Sequence, residues 1–197
     1  MRLLKLFIDI LSPRIVFSLL VFILLFLVVF FSKPYLQGDE SRYLNFSQNI
    51  LNGFYANPDL KPGFLWNGPG YPILITPLKF LNFPYISYRI LNVVLIILGA
   101  YFLFKFLLNF FSARKAAIIS FLGTISHPFI FDAVTRILTE SFSFFLFNFF
   151  FFFLFEFVNQ NKKRYLIFSS ISGGFLMLTK VFFAYVFLVI SIITLVL

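Results

Sequence analysis

The chain has 197 residues, 61% of them hydrophobic and 12% charged, and its mean hydropathy of +0.99 describes more apolar sequence than one soluble core can bury. Sixteen Lys and Arg against seven Asp and Glu give a net charge of +9. The basic residues are spread along the chain and form no basic patch interleaved with aromatics, so no nucleic acid is indicated as a partner. Cysteine is absent, which excludes disulfides and thiolate metal sites.

Apolar runs recur six times, at roughly 15–32, 86–111, 116–131, 141–158, 166–179 and 181–197, and about 20 apolar residues cross a bilayer's hydrocarbon. The fold class this predicts is all-α: a multi-pass transmembrane helical bundle. The first run is longer than the apolar region of a cleavable signal peptide, and no small-x-small site follows it before Lys33 and Pro34, so it is expected to stay as an anchor.

The longest polar segment is 33–85. It opens on "LQGDESRYLNF", which carries the adjacent acids Asp39 and Glu40. Over 41–54, Tyr43, Phe46, Ile50 and Phe54 fall at helical spacing, with Arg42, Asn45, Gln48 and Asn49 on the other face and Gly53 near the end. This predicts an amphipathic helix lying along the membrane surface. "LWNGPGYPILITPLKF" at 65–80 combines turn-forming Gly and Pro with Trp66 and Tyr71. It reads as a loop folding back onto the bilayer, with the two aromatics favouring the headgroup zone.

Farther on, "HPFIFDAVTRILTE" at 127–140 holds the one histidine, His127. It has no carboxylate or second His at metal-ligand spacing, so no metal is assigned. Thr139 and Glu140 open the fourth run as a helix start with an acid in its first turn. Phenylalanine supplies 35 residues, including "FFLFNFFFFFLFEF" at 144–157, which reads as compositional bias filling lipid-facing positions. The short fifth run is expected to be tilted, broken at Gly173 and Gly174, or continuous with structure before the sixth. Lys180, between the fifth and sixth runs, either snorkels to the interface or holds an anionic headgroup.

Charge sets the expected topology. With alternating spans, nine basic and two acidic residues fall on one side and seven basic and five acidic on the other. The positive-inside rule then makes the N-terminus cytoplasmic and places Asp39, Glu40, Asp59, Asp132 and Glu140 outside a cell membrane.

In this order the segments resemble the N-terminal part of the GT-C glycosyltransferases, specifically the bacterial relatives of protein O-mannosyltransferases and the lipid A aminoarabinose transferases. "SPRIVF" and the first span precede "GDESRYLNFSQNILNGFY", similar to the family's acid pair and surface helix. "NGPGYPILITPLKF" is similar to its "PGYP" segment, and "SYRILNVVLIILGAYFLFKF" to the arginine-asparagine start of its second span. "RILTESFSFFLF" and "SGGFLMLTKVFF" resemble its "TE" helix start and its Gly-rich segment ending in "TK". The resemblance covers nearly the whole chain but only part of such an enzyme, whose members continue through more spans and often a soluble domain. The expectation is therefore a partial GT-C transmembrane domain over 1–197.

The resemblance implies transfer of a sugar, with inversion, from a polyprenyl-phosphate donor to an acceptor hydroxyl on a protein, lipid or glycan at the outer membrane face. Asp39 takes the place of the general base that a weakly nucleophilic hydroxyl requires. Glu40 orients the acceptor or holds a nearby basic side chain. The departing lipid phosphate needs positive charge, for which Arg89 and Lys180 are the candidates, with Arg42 and Arg136 behind them. Trp66, Tyr71 and Glu140 complete the expected site residues. Competing roles are an N-cap for Asp39 and snorkelling for Arg89. No Gly-rich phosphate loop follows a strand, so a nucleotide-sugar site is not indicated. Some relatives use a divalent metal, but two outer acids and one isolated His are too few to indicate one, and no cofactor is expected. The alternatives from other classes are a transporter or flippase component, which calls for ionisable residues in mid-span, and an inactive fragment.

Overall fold

The computed structural model describes residues 12–56 and 68–196, with the side chains of 190, 191 and 193–196 excepted. Helix α1, Pro13–Phe31, starts where Ser12 accepts a hydrogen bond from the Ile15 N–H and Pro13 presets the first turn. Val16, Leu20, Leu24 and Val28, spaced by four, form its one buried stripe. That stripe meets Val93, Ile96 and Ala100 of α4 (Tyr85–Leu107) and Val134 of α6 (Ile130–Thr135).

Between α1 and α4 the described residues form two helices. Helix α2, Glu40–Leu51, is the amphipathic helix expected over 41–54, and it ends at Asn52 and Gly53, whose φ of +87° stops the helix. Helix α3, Gly70–Phe80, occupies the segment read above as a loop. Two features allow it. Pro72 sits in the first turn, where no intrahelical N–H is missed, and Tyr71, Leu74, Ile75 and Leu78 give a helical stripe packed into the core. Pro77 lies inside α3, and the helix closes three residues later with Asn82 in the left-handed region.

Helix α5, Ala113–Ile125, packs on α4 through Ala116, Ala117, Ser120 and Thr124, small residues that bring Ser120 Oγ within 2.6 Å of the Ala100 carbonyl it donates to. The run expected as one span over 116–131 is thus two helices, divided at His127 and Pro128. Helix α7, Glu140–Gln160, lies between α4 and α8, Lys163–Thr179. At Gly99 a Cβ would come 2.6 Å from the Phe144 ring, so glycine permits the close crossing of α4 and α7. Helix α8 stays helical through Gly173 and Gly174, so of the three alternatives for this run the break at the glycines is not the one adopted. The chain instead turns at Lys180, which is extended at φ −137° and ψ 114°, before α9, Val181–Val196.

The described residues contain nine helices and no strand. Three, α1, α4 and α7, are long and apolar enough to cross a membrane. Two others fall short: α5 and α8 have 13 and 17 residues, and 13 helical residues reach only about 20 Å. The ends of α1, α5 and α8 and the starts of α4, α7 and α9 lie together with α2, α3 and α6, and this end of the bundle holds Asp39, Glu40, Arg42, Arg89, Asp132, Arg136, Glu140 and Lys180.

Candidate functional site

The two adjacent acids face opposite ways. Gly38, at φ +57°, turns the chain into α2, and the Gln37 N–H donates back to Glu40 Oε2 at 2.6 Å, a brace of the capping-box kind. This swings the Glu40 side chain inward, where it is 1% exposed. Its Oε1 accepts from the Ile137 N–H at 2.9 Å and lies 3.5 Å from Nη2 of Arg89, whose side chain is itself buried on α4. One carboxylate therefore ties the start of α2 to α4 and to the segment before α7.

Asp39 stays outside. Its side chain is 45% exposed, makes no capping hydrogen bond, and pairs with Arg42 one turn on at 3.2 Å. The capping role weighed for Asp39 is not what its side chain does here. A half-exposed carboxylate held by one neighbouring guanidinium is free to meet a ligand.

Tyr71 is corrected by its surroundings. Expected at the headgroup zone or against a sugar, it is completely buried at the start of α3. Its ring packs edge-on to Tyr43 at 5.5 Å, and its hydroxyl donates to Asn92 Oδ1 at 3.0 Å. Asn92 Nδ2 in turn donates to the Arg136 carbonyl at 2.8 Å, so three segments are latched through one amide. Burial pushes the phenols of Tyr71 and Tyr43 well above their ordinary range, which keeps both neutral, and Tyr43 feels the negative charges of Glu140 and Asp39. Trp66 lies outside the described residues.

The glycines of "NGPGYP" have a specific neighbour. A Cβ on Gly68 would run into the Leu178 carbonyl oxygen, and one on Gly70 would strike Thr179 Oγ1 and come 2.9 Å from the Thr179 N–H nitrogen. The start of α3 is thereby pressed onto the last turn of α8, just before Lys180. There Lys180 Nζ donates to Glu140 Oε1 at 2.9 Å, joining the start of α7 to the break between α8 and α9.

Beside this pair opens a groove of about 470 Å³. Phe144, Phe147, Phe182 and Phe183 form its apolar walls, while Glu140, Lys180 and His127 make its mouth polar. Two of its lining residues, Glu140 and Ser143, each keep a buried side-chain oxygen, Oε2 and Oγ, without a hydrogen-bond partner. A second apolar pocket of about 230 Å³ shares Phe147 and Asn148 with it and extends the groove along α7 to Phe106 and Phe151. His127 is pushed below its ordinary 6.5, chiefly by burial, with Lys180 lowering it further and Glu140 opposing.

The four cations expected around a phosphate separate into two groups. Lys180 lines the groove and Arg42 stands against Asp39. Arg89 and Arg136 lie elsewhere, Arg89 on Glu40 and Arg136 on Asp132 at 3.1 Å. No group of three or more His, Cys, Asp or Glu residues suited to a metal ion occurs among the described residues.

Sequence reasoning attached no role to Asn92, Ser143 or Lys33. The signal for Asn92 was present, because it follows Arg89 by three residues and shares its helix face. Five of the six segments quoted above, all but "SPRIVF", meet pairwise at this one end: Glu40 with Arg89, Tyr71 with Asn92, Gly70 with Thr179, and Glu140 with Lys180. Compared with protein-family models, with curated proteins and with solved structures, the chain matches none.

Proposed function

We propose that this chain is the membrane domain, or part of it, of a glycosyltransferase that moves a sugar from a polyprenyl-phosphate donor to an acceptor hydroxyl on the extracytoplasmic face, with the N-terminus cytoplasmic. The observation that carries the reading is the groove between α7 and α9. It offers a phenylalanine-lined trough for an isoprenoid, Lys180 on its wall for a phosphate, and the polar residues Glu140, Ser143 and Asn148 in the same lining for sugar hydroxyls. The convergence of five separate sequence segments on that end supports it.

In the reaction, Asp39 accepts the proton of the acceptor hydroxyl as its oxygen bonds to the anomeric carbon. The bond from that carbon to the phosphate oxygen breaks, and the lipid phosphate leaves with the electron pair. Attack opposite the leaving group inverts the centre. A phosphate monoester is a good leaving group, so the second carboxylic acid of glycoside hydrolysis is not required. Lys180 offsets the charge that develops on it, and Arg42 fixes the Asp39 carboxylate. Glu40 touches neither donor nor acceptor. It is a positioning residue that sets the start of α2 and so the direction in which Asp39 faces.

The test is transfer from a panel of polyprenyl-phosphate hexoses and pentoses in membranes carrying the chain. Asp39→Asn is expected to lower transfer at least 100-fold, the usual scale for losing a general base, with the chain still inserted and folded. Equal rates for the two proteins would remove Asp39 from the chemistry. Wild-type membranes that transfer nothing above those lacking the chain would overturn the whole reading.

A further inference from the structure

A separate cavity shares no lining residue with the groove. Its volume is about 190 Å³, room for about six waters. Lys33, Arg89 and Arg136 contribute three positive charges to its lining and Glu40 one negative, a balance of +2, or +1 when the Asp132 partner of Arg136 is included. Gln37 and Thr135 add neutral polar groups.

Arg89 is the residue that points to a ligand. Its side chain is 4% exposed, its Nη2 is shared with Glu40 at the long distance of 3.5 Å, and its Nε has no hydrogen-bond partner at all. A buried guanidinium N–H without an acceptor is costly. Glu40 meets the guanidinium only through Nη2 at that long distance, while its two oxygens also accept the Ile137 and Gln37 N–H groups. An oxygen-rich anion in the cavity would sit against the guanidinium where Arg89 lines the wall, with Lys33 and Arg136 to balance its charge.

The walls indicate what the anion is attached to. Phe31 and Phe131 flank the cavity and pack edge-on at 5.5 Å. From Phe31 a ladder of exposed rings descends α1, with Phe26 lying 6.2 Å from Phe31 and 4.5 Å from Phe30, and Phe22 lying 6.4 Å from Phe26. Helix α1 is long and apolar enough to cross a membrane, so the ladder is a lipid-facing track ending at a cationic hole. We infer that the cavity formed by Lys33, Arg89 and Arg136 binds the phosphodiester of an anionic membrane phospholipid, whose acyl chain lies along the Phe22–Phe31 face of α1. The positive balance selects a headgroup without its own cation, such as phosphatidylglycerol, over phosphatidylcholine.

The site stands apart from the donor groove, so its test is separate from the transfer assay. The full chain, purified in detergent, is titrated with phosphatidylglycerol, phosphatidylcholine, inorganic phosphate or polyprenyl phosphate while its thermal unfolding is followed. Saturating phosphatidylglycerol is expected to raise the unfolding midpoint by about 5 to 10 °C, phosphatidylcholine by less than half as much. A Lys33→Gln, Arg136→Gln double variant is expected to lose most of the rise. Both positions are exposed enough for the variant to fold, and they leave the Glu40 and Arg89 pair in place. Four results would each overturn the inference. They are an equal rise with phosphatidylcholine, an equal rise with inorganic phosphate at the same concentration, displacement of phosphatidylglycerol by polyprenyl phosphate, and a full rise in the double variant.

Discussion

The two ends of helix α7 are built on different principles. At its start, Glu140 holds Lys180, Ser141 Oγ donates to the Ala133 carbonyl at 2.7 Å, and Ser143 is buried with an unpartnered hydroxyl. Each contact there has one partner and one geometry. Farther along, the Phe149 and Phe153 rings pack tilted against each other at 4.5 Å, and both meet Phe102 of α4 and Phe168 of α8. There, bulk fills space and many edges share the work. The contrast teaches where this protein keeps specificity. Changes at the charged end are expected to be severe and particular, and those at the aromatic end mild and general.

The largest effect on stability is expected at Glu40. Glu40→Ala removes the acceptor for the Ile137 N–H and leaves Arg89 buried without a counter-charge, a loss of about 3 to 5 kcal/mol. Asp39→Ala, one residue away but half-exposed, is expected to change stability by less than about 0.5 kcal/mol, because exposed ion pairs contribute little. Unfolding of the two variants in one detergent separates them. Similar losses at 39 and 40 would mean that the two acids do not divide their roles as described.

Next comes the seam between α3 and α8. Gly70→Ala places a methyl against Thr179, and the resulting shift is expected to cost about 1 to 3 kcal/mol. Adding Thr179→Ala should restore only part of that, since the Leu178 carbonyl carbon remains 3.0 Å from the new methyl. Gly174→Ala is the control. A Cβ there meets nothing within 4 Å and the residue is helical, so this change is expected to be neutral or to stabilise by up to about 1 kcal/mol. At the aromatic end, Phe102→Leu is expected to cost about 1 kcal/mol, as neighbouring rings close over the gap. A loss at Phe102 as large as that at Glu40 would erase the contrast between the ends.

How far the sequence showed this differs by element. The long helices α1, α4 and α7 were legible because unbroken apolar runs have few other uses. Helix α3 was not, although Tyr71, Leu74, Ile75 and Leu78 carry helical spacing, because Gly68, Pro69, Gly70 and Pro72 outweighed it as turn signals. Those residues start the helix and let it press on α8; they do not end it. The division of α5 from α6 was hidden by the apolar residues on both sides of His127 and Pro128. At the site, sequence supplied the cast without the pairing. Asp39 and Glu40 look alike in one dimension, and only the return of Glu40 to the Gln37 N–H shows which carboxylate turns inward. Likewise, no spacing rule separates Lys180, which lines the groove, from Arg136, which lines the second cavity, since each pairs with an acid on a different element or turn.

The smallest effect sits where the charged end meets the groove wall, at His127. Its Nδ1 accepts the Phe129 N–H at 3.3 Å, which requires that nitrogen to be unprotonated, and burial lowers its pKa below the ordinary 6.5. Above pH 6.5 the folded and unfolded chains both hold a neutral imidazole, and the contribution of His127 to stability is fully present. As the pH falls through 6.5 the unfolded chain takes up its proton first, so stability declines until the folded pKa is passed. The bond concerned is partly exposed, and the decline is expected to stay below about 1 kcal/mol. His127→Gln keeps an acceptor and removes the titration, so between about pH 7.5 and pH 5.5 its unfolding midpoint should fall less than that of the wild type. Parallel curves for the two proteins would assign the pH dependence to other groups and leave His127 as a packing residue against Phe144, whose ring it meets edge-on at 6.0 Å.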